Sequence, residues 1–204
     1  MSLNQVFRNP FSTASVSPGK IEFLFPKEMV IDDVAQNFSR NRHWAQIVGP
    51  HGSGKSTLAI AVANHLKSKF DSIVMMTLLG GNSLKRKFIF QPSNPRKTDK
   101  VLHVVDGLEK LSKFQRQLML YHQKKLNLSH GHGFVFTTHR TWSQIPILFE
   151  TSPDTVRFYK LVKKLHPTMP APIIRQAFEK HRPNCREALM ELYDVYESFC
   201  FASR

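Results

Sequence analysis

The stretch "WAQIVGPHGSGKSTLAIAV" at residues 44–62 decides the fold of this chain. Its first five residues are mostly apolar and typical of a buried strand, and the residues from 58 onward predict a helix. Between the two stand three glycines, a lysine and several hydroxyl side chains. Because glycine carries no side chain, we expect a ligand to approach the backbone closely at this junction.

The spacing Gly49-x-x-x-x-Gly54-Lys55-Ser56 matches the P-loop pattern. In this motif backbone N–H groups surround phosphates, and the start of the following helix faces their negative charge. The lysine would reach the β and γ phosphates, and the serine hydroxyl would bind Mg²⁺. The alternative is a glycine turn that precedes a helix without binding anything. The predicted nucleotide-binding residues are Gly49, Pro50, His51, Gly52, Ser53, Gly54, Lys55, Ser56 and Thr57.

A carboxylate is expected on a neighbouring strand, because Mg²⁺ keeps most of its waters and is held through few protein groups. The apolar segment "VLHVVD" at 101–106 supplies it and predicts Ser56 and Asp106 as the metal ligands. The alternative is that Asp106 only caps the next helix.

Hydrolysis also requires a group that orients or deprotonates water. Gly107 follows Asp106, so Glu109 is the next candidate, and the alternative is a solvated glutamate in a first helical turn.

Another predicted strand, "GFVFTT" at 133–138, runs into "TTHR" at 137–140. Ligands of open α/β sheets bind at the carboxyl ends of the strands. Thr138 and His139 are therefore candidates for contact with the γ phosphate or with the attacking water, and plain roles in a loop are the alternative.

Strand and helix patterns alternate along the chain, which predicts an α/β fold: a P-loop three-layer sandwich with a mainly parallel five-stranded sheet. The segment 79–100 is rich in basic residues and contains two prolines, which predicts an exposed basic loop. A short strand at "KFIF" within this loop is left open. The predicted strands are 44–48, 72–78, 101–106, 133–138 and 155–161, and the main helices are 55–69 and 112–127.

We expect three regions: an irregular lead-in at 1–20, a P-loop core at 21–165 and a C-terminal helical lid at 166–204. Three prolines between 167 and 172 interrupt the pattern before two helices, at about 173–181 and 185–200. Asn184 can cap the second of these helices, and Glu187 stands three positions later, where a capping box needs a glutamate.

The formal net charge of +14 favours association with polyanions. The alternative is a solvated basic surface with no specific role. If the partner is a nucleic acid, its phosphates would contact basic residues of the segment 79–100. The candidates are Lys85, Arg86, Lys87, Arg96 and Lys97.

Cys185 and Cys200 are far apart and not in a metal-ligand spacing, which predicts free thiols in a reducing compartment.

The sequence has no apolar run of about 20 residues, the length that a membrane span requires. Its first 20 residues also lack the apolar centre of a signal peptide. We therefore expect a soluble cytoplasmic protein without a membrane partner.

Together these motifs resemble those of AAA+ type P-loop ATPases. "GPHGSGKST" is similar to their Walker A loop, "VLHVVD" to the Walker B strand, "TTHR" to the sensor 1 strand and "NCREAL" at 184–189 to the start of the sensor 2 helix. The opening segment also resembles that of short bacterial ATPases. The resemblance implies ATP with Mg²⁺, His139 in place of a sensor asparagine, and Arg186 reaching the γ phosphate from the lid.

The function that follows is Mg²⁺-dependent ATP binding with weak ATPase activity, coupled to movement of the lid and of the basic loop. A small-molecule or nucleotide kinase is one alternative, although "TWSQIPILFETSP" at 141–153 lacks the arginines usual in a kinase lid. Nucleotide binding without hydrolysis is another. A GTPase is disfavoured, because "DGLE" at 106–109 is not Asp-x-x-Gly and no Asn-Lys-x-Asp motif occurs.

Overall fold

A computed structural model describes residues 9–26, 28–80, 83–90 and 99–202. The chain divides into two compact units. The sheet unit comprises residues Phe25–Gly49 and Lys55–Thr151. The helical unit comprises Met1–Leu24, Pro50–Gly54 and Ser152–Arg204, so the P-loop is divided between the two units.

The sheet unit contains one six-stranded sheet with the order β3-β2-β4-β5-β1-β6. Five strands run parallel, and β3 at the edge pairs antiparallel with β2. β1 and β5 are buried along their whole length, as expected for central strands covered on both faces. The strands are β1 Trp44–Val48, β2 Ser72–Gly80, β3 Ser83–Phe90, β4 Val101–Asp106, β5 Gly133–Thr138 and β6 Ile147–Glu150.

Two longer helices cover opposite faces of this sheet. The helix that follows the P-loop packs against β1, β4 and β5, whereas a later helix packs against β5 and contributes Leu120 to a cluster with Trp44, Phe134 and Phe136. Alternate residues of the strands therefore face different helices. The helices of the sheet unit are α2 Ile31–Arg40, α3 Lys55–His65 and α4 Lys113–His130, with a 3-10 turn at Leu108–Lys110.

The helical unit has an apolar core of its own. Phe158 and Val162 lie one turn apart on one helix and pack with Phe178 and Leu189 of the next two. Phe11 from the N-terminal segment completes this core and is fully buried. The helices of this unit are α1 Thr13–Val16, α5 Thr155–Leu165, α6 Ala171–His181 and α7 Cys185–Ala202.

The structure confirms the predicted α/β fold class, with one strand more than expected. The sequence placed the fifth strand at 155–161, which is wrong, because these residues form the start of α5. Asp154 caps this helix by accepting from the backbone N–H of Arg157 at 2.8 Å, and Phe158 and Val162 form its buried face. The fifth parallel strand is instead β6, which pairs with β1.

The expected exposed loop at 79–100 is also corrected in part. Residues 83–90 form β3, whose backbone pairs with β2 from Ile73↔Phe90 to Gly80↔Ser83. The suspected short strand "KFIF" is the second half of β3.

The two helices after the proline-rich segment are confirmed as α6 and α7, and Asn184 Oδ1 accepts from the backbone N–H groups of Arg186 and Glu187 at 3.2 and 3.3 Å.

Within the described ranges, every helix is too short or too polar to cross a lipid bilayer.

Candidate functional site

Lys55 begins α3 directly after the P-loop and is largely buried, with 7% of its surface exposed. Its Nζ donates to the carbonyl oxygen of Gly49 at 2.8 Å. Burial lowers the pKa of Lys55, and the negative charges of Glu109 and Asp106 act in the opposite direction. The ammonium group therefore lies in the field of two carboxylates that the sequence had assigned to the same site.

Asp106 ends β4 and is bonded to hydroxyl groups from two other elements. The Ser56 hydroxyl of α3 donates to Asp106 Oδ1 at 2.9 Å, and the Thr137 hydroxyl of β5 donates to the same oxygen. The backbone N–H of Gly107 in turn donates to Thr137 Oγ1 at 3.3 Å. This network fixes the carboxylate beside the first turn of α3, where the sequence predicted a metal site.

Glu109 lies in the 3-10 turn that follows Asp106, and the structure places it beside His139. The Oε1 atom of Glu109 is 3.4 Å from His139 Nε2. Its Oε2 atom is buried without a hydrogen-bond partner in the described part of the chain. Burying a carboxylate oxygen that makes no hydrogen bond costs folding free energy. Such an atom is a candidate to accept a hydrogen bond, or a proton, from a water molecule.

Thr138, a predicted site residue, points to the other face of the sheet from Asp106. Its hydroxyl donates to the carbonyl oxygen of Arg140 at 2.7 Å and approaches Gln46 Oε1 at 3.4 Å. Thr137, which the sequence reasoning passed over, takes the place beside the carboxylate. Strand alternation puts the two threonines on opposite faces of the sheet, and the register decides which of them lies beside the carboxylate: Asp106 and Thr137 are partners, and paired residues share a face.

In the helical unit, the P-loop segment Pro50–Gly54 lies against the start of α7. Gly52 has φ +67°, and a Cβ atom there would stand 1.7 Å from Asn184 Oδ1. Gly54 has φ +90°, and a Cβ atom would lie 3.3 Å from the ring of Phe23. Gly52 thus requires glycine for conformation and for space, whereas Gly54 requires it for conformation. Ser53 is buried, and its hydroxyl donates to the carbonyl oxygen of Pro50 at 2.8 Å.

An open pocket of about 300 Å³ adjoins this segment of the P-loop. His51 and Gly52 of the loop line it together with Arg186. The predicted sensor arginine therefore lies beside the P-loop residues of its own unit. The remaining lining residues are Thr13, Asn184, Glu187 and Met190.

The proposed nucleic-acid residues are only partly described. Lys85 is exposed on β3, and the backbones of Arg86 and Lys87 pair with Met76 and Met75 of β2. Arg96 and Lys97 lie outside the described residues. Contacts of this segment with nucleic acid stay a prediction.

The described residues contain no group of three or more His, Cys, Asp or Glu side chains that could hold a metal ion alone. A pair such as Ser56 and Asp106 still suits Mg²⁺, which is usually bound through one or two protein groups together with water and phosphate oxygens.

No protein-family model matches the chain. No curated protein matches it either. Among the solved structures that resemble it is that of PCH-2 from C. elegans, which is 12% identical, with 82% of this chain and 67% of that chain covered and a TM-score of 0.48. A likeness of this degree decides neither fold nor activity. The resemblance to AAA+ type ATPases therefore stays a prediction, and the chemistry of this chain has to be inferred from its own residues.

Proposed function

We propose that the protein binds ATP together with Mg²⁺ and hydrolyses it slowly. The observation that carries this proposal is the hydrogen bond of 2.9 Å between Ser56 Oγ and Asp106 Oδ1, beside the buried ammonium of Lys55. The P-loop spacing brings a lysine and a hydroxyl to the first turn of a helix, and a second strand brings the carboxylate to that hydroxyl. ATP as the nucleotide rests on the resemblance to AAA+ type ATPases.

The residues present fit a magnesium ion. Ser56 and Asp106 would hold it with hard oxygen atoms, which are the ligands that Mg²⁺ prefers. Thr137 would keep the Asp106 carboxylate in place through its hydroxyl. The ion would supply positive charge to the phosphate oxygens, a role that P-loop proteins commonly give to it.

Lys55 would contact the phosphates directly. Its ammonium is held by the carbonyl of Gly49 and is largely removed from water, so a nearby anion would be attracted in a medium of low dielectric constant. The negative charge of a triphosphate would also counteract the lowering of its pKa by burial. The start of α3 adds the partial positive charge of a helix N-terminus.

Glu109 would orient or deprotonate the attacking water through its Oε2 atom, which has no hydrogen-bond partner among the described residues. His139 contacts the other carboxylate oxygen and would position the side chain. We propose a slow turnover because Gly107, and not a glutamate, directly follows Asp106, so the base would come from a later position of the chain. Arg186 would contribute positive charge near His51 and Gly52 within the helical unit.

We further propose that the nucleotide state changes the start of α7. Asn184 caps that helix and its Oδ1 lies against Gly52, so a shift of the loop around phosphate would disturb the cap. This contact is the physical basis for the expected response of the C-terminal helices to nucleotide.

The binding proposal is tested by titrating fluorescent ATP and GTP with and without Mg²⁺. The Lys55→Ala variant should bind ATP about 10- to 100-fold more weakly, the range expected for hydrogen bonds to a charged group. Lys67→Ala, at an exposed position on the turn after α3, is the matched control and should bind normally. Equal affinity of wild type and Lys55→Ala would refute the proposed phosphate site.

Hydrolysis is tested separately by following phosphate release from ATP. Slow release that requires Mg²⁺ supports an ATPase. Tight binding without release would leave a nucleotide-binding protein without hydrolysis. Formation of ADP only when an acceptor compound is added, with the phosphate on the acceptor and none released into solution, would identify a kinase.

A nucleic-acid partner is proposed on the net charge of +14 and on the exposed Lys85 of β3. The triple change of Lys85, Arg86 and Lys87 to alanine should weaken DNA or RNA binding and reduce its salt dependence. ATP turnover that is equal with and without nucleic acid, in both proteins, would argue against this partner.

A further inference from the structure

Helix α4 of the sheet unit packs on the sheet with one face and exposes apolar side chains on the other. Its inner face packs on the sheet: Leu120 and Gln123 are buried, and the Arg116 guanidinium lies 3.6 Å from the centre of the Trp142 ring. Its outer face carries apolar side chains where a surface helix usually carries polar ones. The most exposed apolar residues are Phe114 at 77%, Leu118 at 49%, Tyr121 at 66% and Leu128 at 64% of their surface, and Leu126 is exposed to 37%.

The spacing of these residues follows a heptad pattern. Positions 114, 118, 121, 125 and 128 alternate steps of four and three, which places them on one line along the helix. In heptad terms Phe114, Tyr121 and Leu128 occupy d positions and Leu118 an a position. Lys125 occupies the other a position, where a single polar residue commonly sets register and partner in coiled coils. The line extends over about 21 Å of helix.

The charged side chains of α4 are all positive. Its sequence "KFQRQLMLYHQKKLNLSH" contains four Lys or Arg residues and no Asp or Glu. Lys124 takes a g position next to the apolar line, and Lys125 interrupts that line. A partner that covers this surface must therefore place acidic groups beside its own apolar residues.

We propose that the outer face of α4, defined by Phe114, Leu118, Tyr121, Lys125 and Leu128, docks an acidic amphipathic helix of a partner protein in a two-stranded coiled-coil arrangement. Leucines of the partner would fill the a and d positions, and its glutamates would pair with Lys124 and Lys125. A second copy in parallel orientation is disfavoured, because it would bring Lys125 against Lys125. Phe114, Tyr121 and Lys125 offer groups that a nucleic acid can use. Leu118 and Leu128 on the same line offer neither a donor to phosphate nor an aromatic ring to a base, and they favour an apolar partner instead.

The test uses the full chain and a synthetic peptide of three heptads with leucine at a and d and glutamate at e and g. Its control is a peptide of the same composition in scrambled order. Binding is measured by fluorescence anisotropy of the labelled peptide. We expect saturable binding of one peptide per chain that weakens as salt concentration rises, since charge pairs contribute, and at least tenfold weaker binding of the scrambled peptide.

Substitutions on α4 connect binding to the proposed surface. Leu118→Asp should weaken binding of the acidic peptide at least tenfold, because it places a carboxylate on the apolar line. Val156→Asp makes the same change at another exposed apolar position, on α5, and should leave binding unchanged. Thermal melting and ATP titration of both variants check that they fold like the wild type.

Reversing the charge of Lys124 and Lys125 distinguishes specific pairing with the peptide from nonspecific binding. The double variant Lys124→Glu and Lys125→Glu should bind the acidic peptide at least tenfold more weakly and should gain binding to a peptide with lysine in place of glutamate. Equal binding of ordered and scrambled peptides, or no effect of Leu118→Asp, overturns the proposal.

Two other outcomes would assign the surface to a different occupant and also overturn the proposal. One is a concentration-dependent dimer of the protein alone, seen by analytical ultracentrifugation and lost in Leu118→Asp. The other is binding to phosphatidylserine vesicles that Leu118→Asp abolishes, in a protein that does not bind the acidic peptide.

Discussion

Thr137 and Thr138 are neighbours at the end of the same strand, yet they belong to two different networks on opposite faces of the sheet. Thr137 donates to the carboxylate of Asp106, in a cluster that also contains Ser56, Lys55 and Glu109. Thr138 belongs to a buried amide network around Gln46. The Gln46 side chain donates to the carbonyl oxygens of Trp142 and Ile145 at 2.7 and 2.5 Å and accepts from the backbone N–H of Trp142 at 3.1 Å.

The difference between these networks lies in what each leaves unsatisfied. The amide network joins β1 to the connection between β5 and β6, and protein groups satisfy both the oxygen and the nitrogen of the Gln46 amide. The carboxylate cluster leaves Glu109 Oε2 buried without a hydrogen-bond partner in the described ranges. It also contains the largely buried ammonium of Lys55, which donates to the carbonyl oxygen of Gly49. We therefore expect changes in the cluster to affect nucleotide chemistry and changes in the amide network to affect stability.

The largest effect is expected for Glu109→Gln. The amide cannot accept a proton from water, so ATP turnover should fall about 100-fold or more, as is usual when a general base is lost. ATP affinity should stay close to that of the wild type. Phosphate release and ATP titration measure the two quantities.

Glu150→Gln, at the exposed end of β6, is the control for this substitution and should have normal turnover. Unchanged turnover of Glu109→Gln would remove Glu109 from the reaction and leave its buried Oε2 without a role.

Asp106→Asn should weaken the Mg²⁺-dependent part of ATP affinity by about 10- to 100-fold, since the ligand environment of a metal typically controls its binding by this amount. ATP titrations at several Mg²⁺ concentrations measure the effect. Asp194→Asn, on the exposed surface of α7, is the matched change. Identical Mg²⁺ dependence of the Asp106 variant and the wild type would contradict the predicted metal site.

The amide network is tested by Gln46→Leu. The substitution leaves the N–H of Trp142 and two carbonyl oxygens without their partners, so the free energy of unfolding should fall by about 2 kcal/mol. Urea denaturation measures this change. Gln176→Leu at an exposed position of α6 should have little effect. A loss of ATP affinity in Gln46→Leu at full stability would show that the two faces are not separate.

The smallest effects are expected for Thr137→Val and Thr138→Val, which serve as controls for each other. Thr137→Val should reduce Mg²⁺-dependent turnover several-fold, because the Asp106 carboxylate loses one of its two hydroxyl donors. Thr138→Val should lower the free energy of unfolding by about 1 kcal/mol, the value of an ordinary hydrogen bond, and leave turnover unchanged. The reverse pattern would contradict the assignment of the two faces.

The strands next to the P-loop could be predicted because each is a continuous apolar run between turn residues. The other elements depended on context. The segment 155–161 alternates apolar and polar residues like a strand, and only the longer window to Leu165, together with the cap at Asp154, shows helical spacing. β6 has four residues, too few for a periodic pattern, and is stabilised by pairing with β1.

β3 was missed in part because six basic residues between 79 and 100 suggested a loop. The strands β2 and β3 are separated by Gly81 and Asn82 in the sequence, a dipeptide typical of tight hairpins. This signal was present, but the prolines that follow outweighed it.

The candidate site could be predicted as far as the motif spacing extends. Lys55, Ser56 and Asp106 follow from the P-loop and from an apolar strand that ends in a carboxylate. The choice between Thr137 and Thr138 requires the register of β4 against β5, which the sequence does not specify. The contact between Glu109 and His139 requires the left-handed turn at Gly107, and it joins residues from two separate connections.

The close approach of Gly52 to Asn184 makes two distant positions of the chain interdependent. A methyl group at 52 would occupy the space of the Asn184 side chain, which is needed there to cap α7. Shortening residue 184 would make room for it but would leave the first turn of α7 uncapped, and alanine would still be strained at φ +67°. An engineer who wishes to graft this phosphate loop onto another scaffold must therefore transplant the beginning of the terminal helix with it.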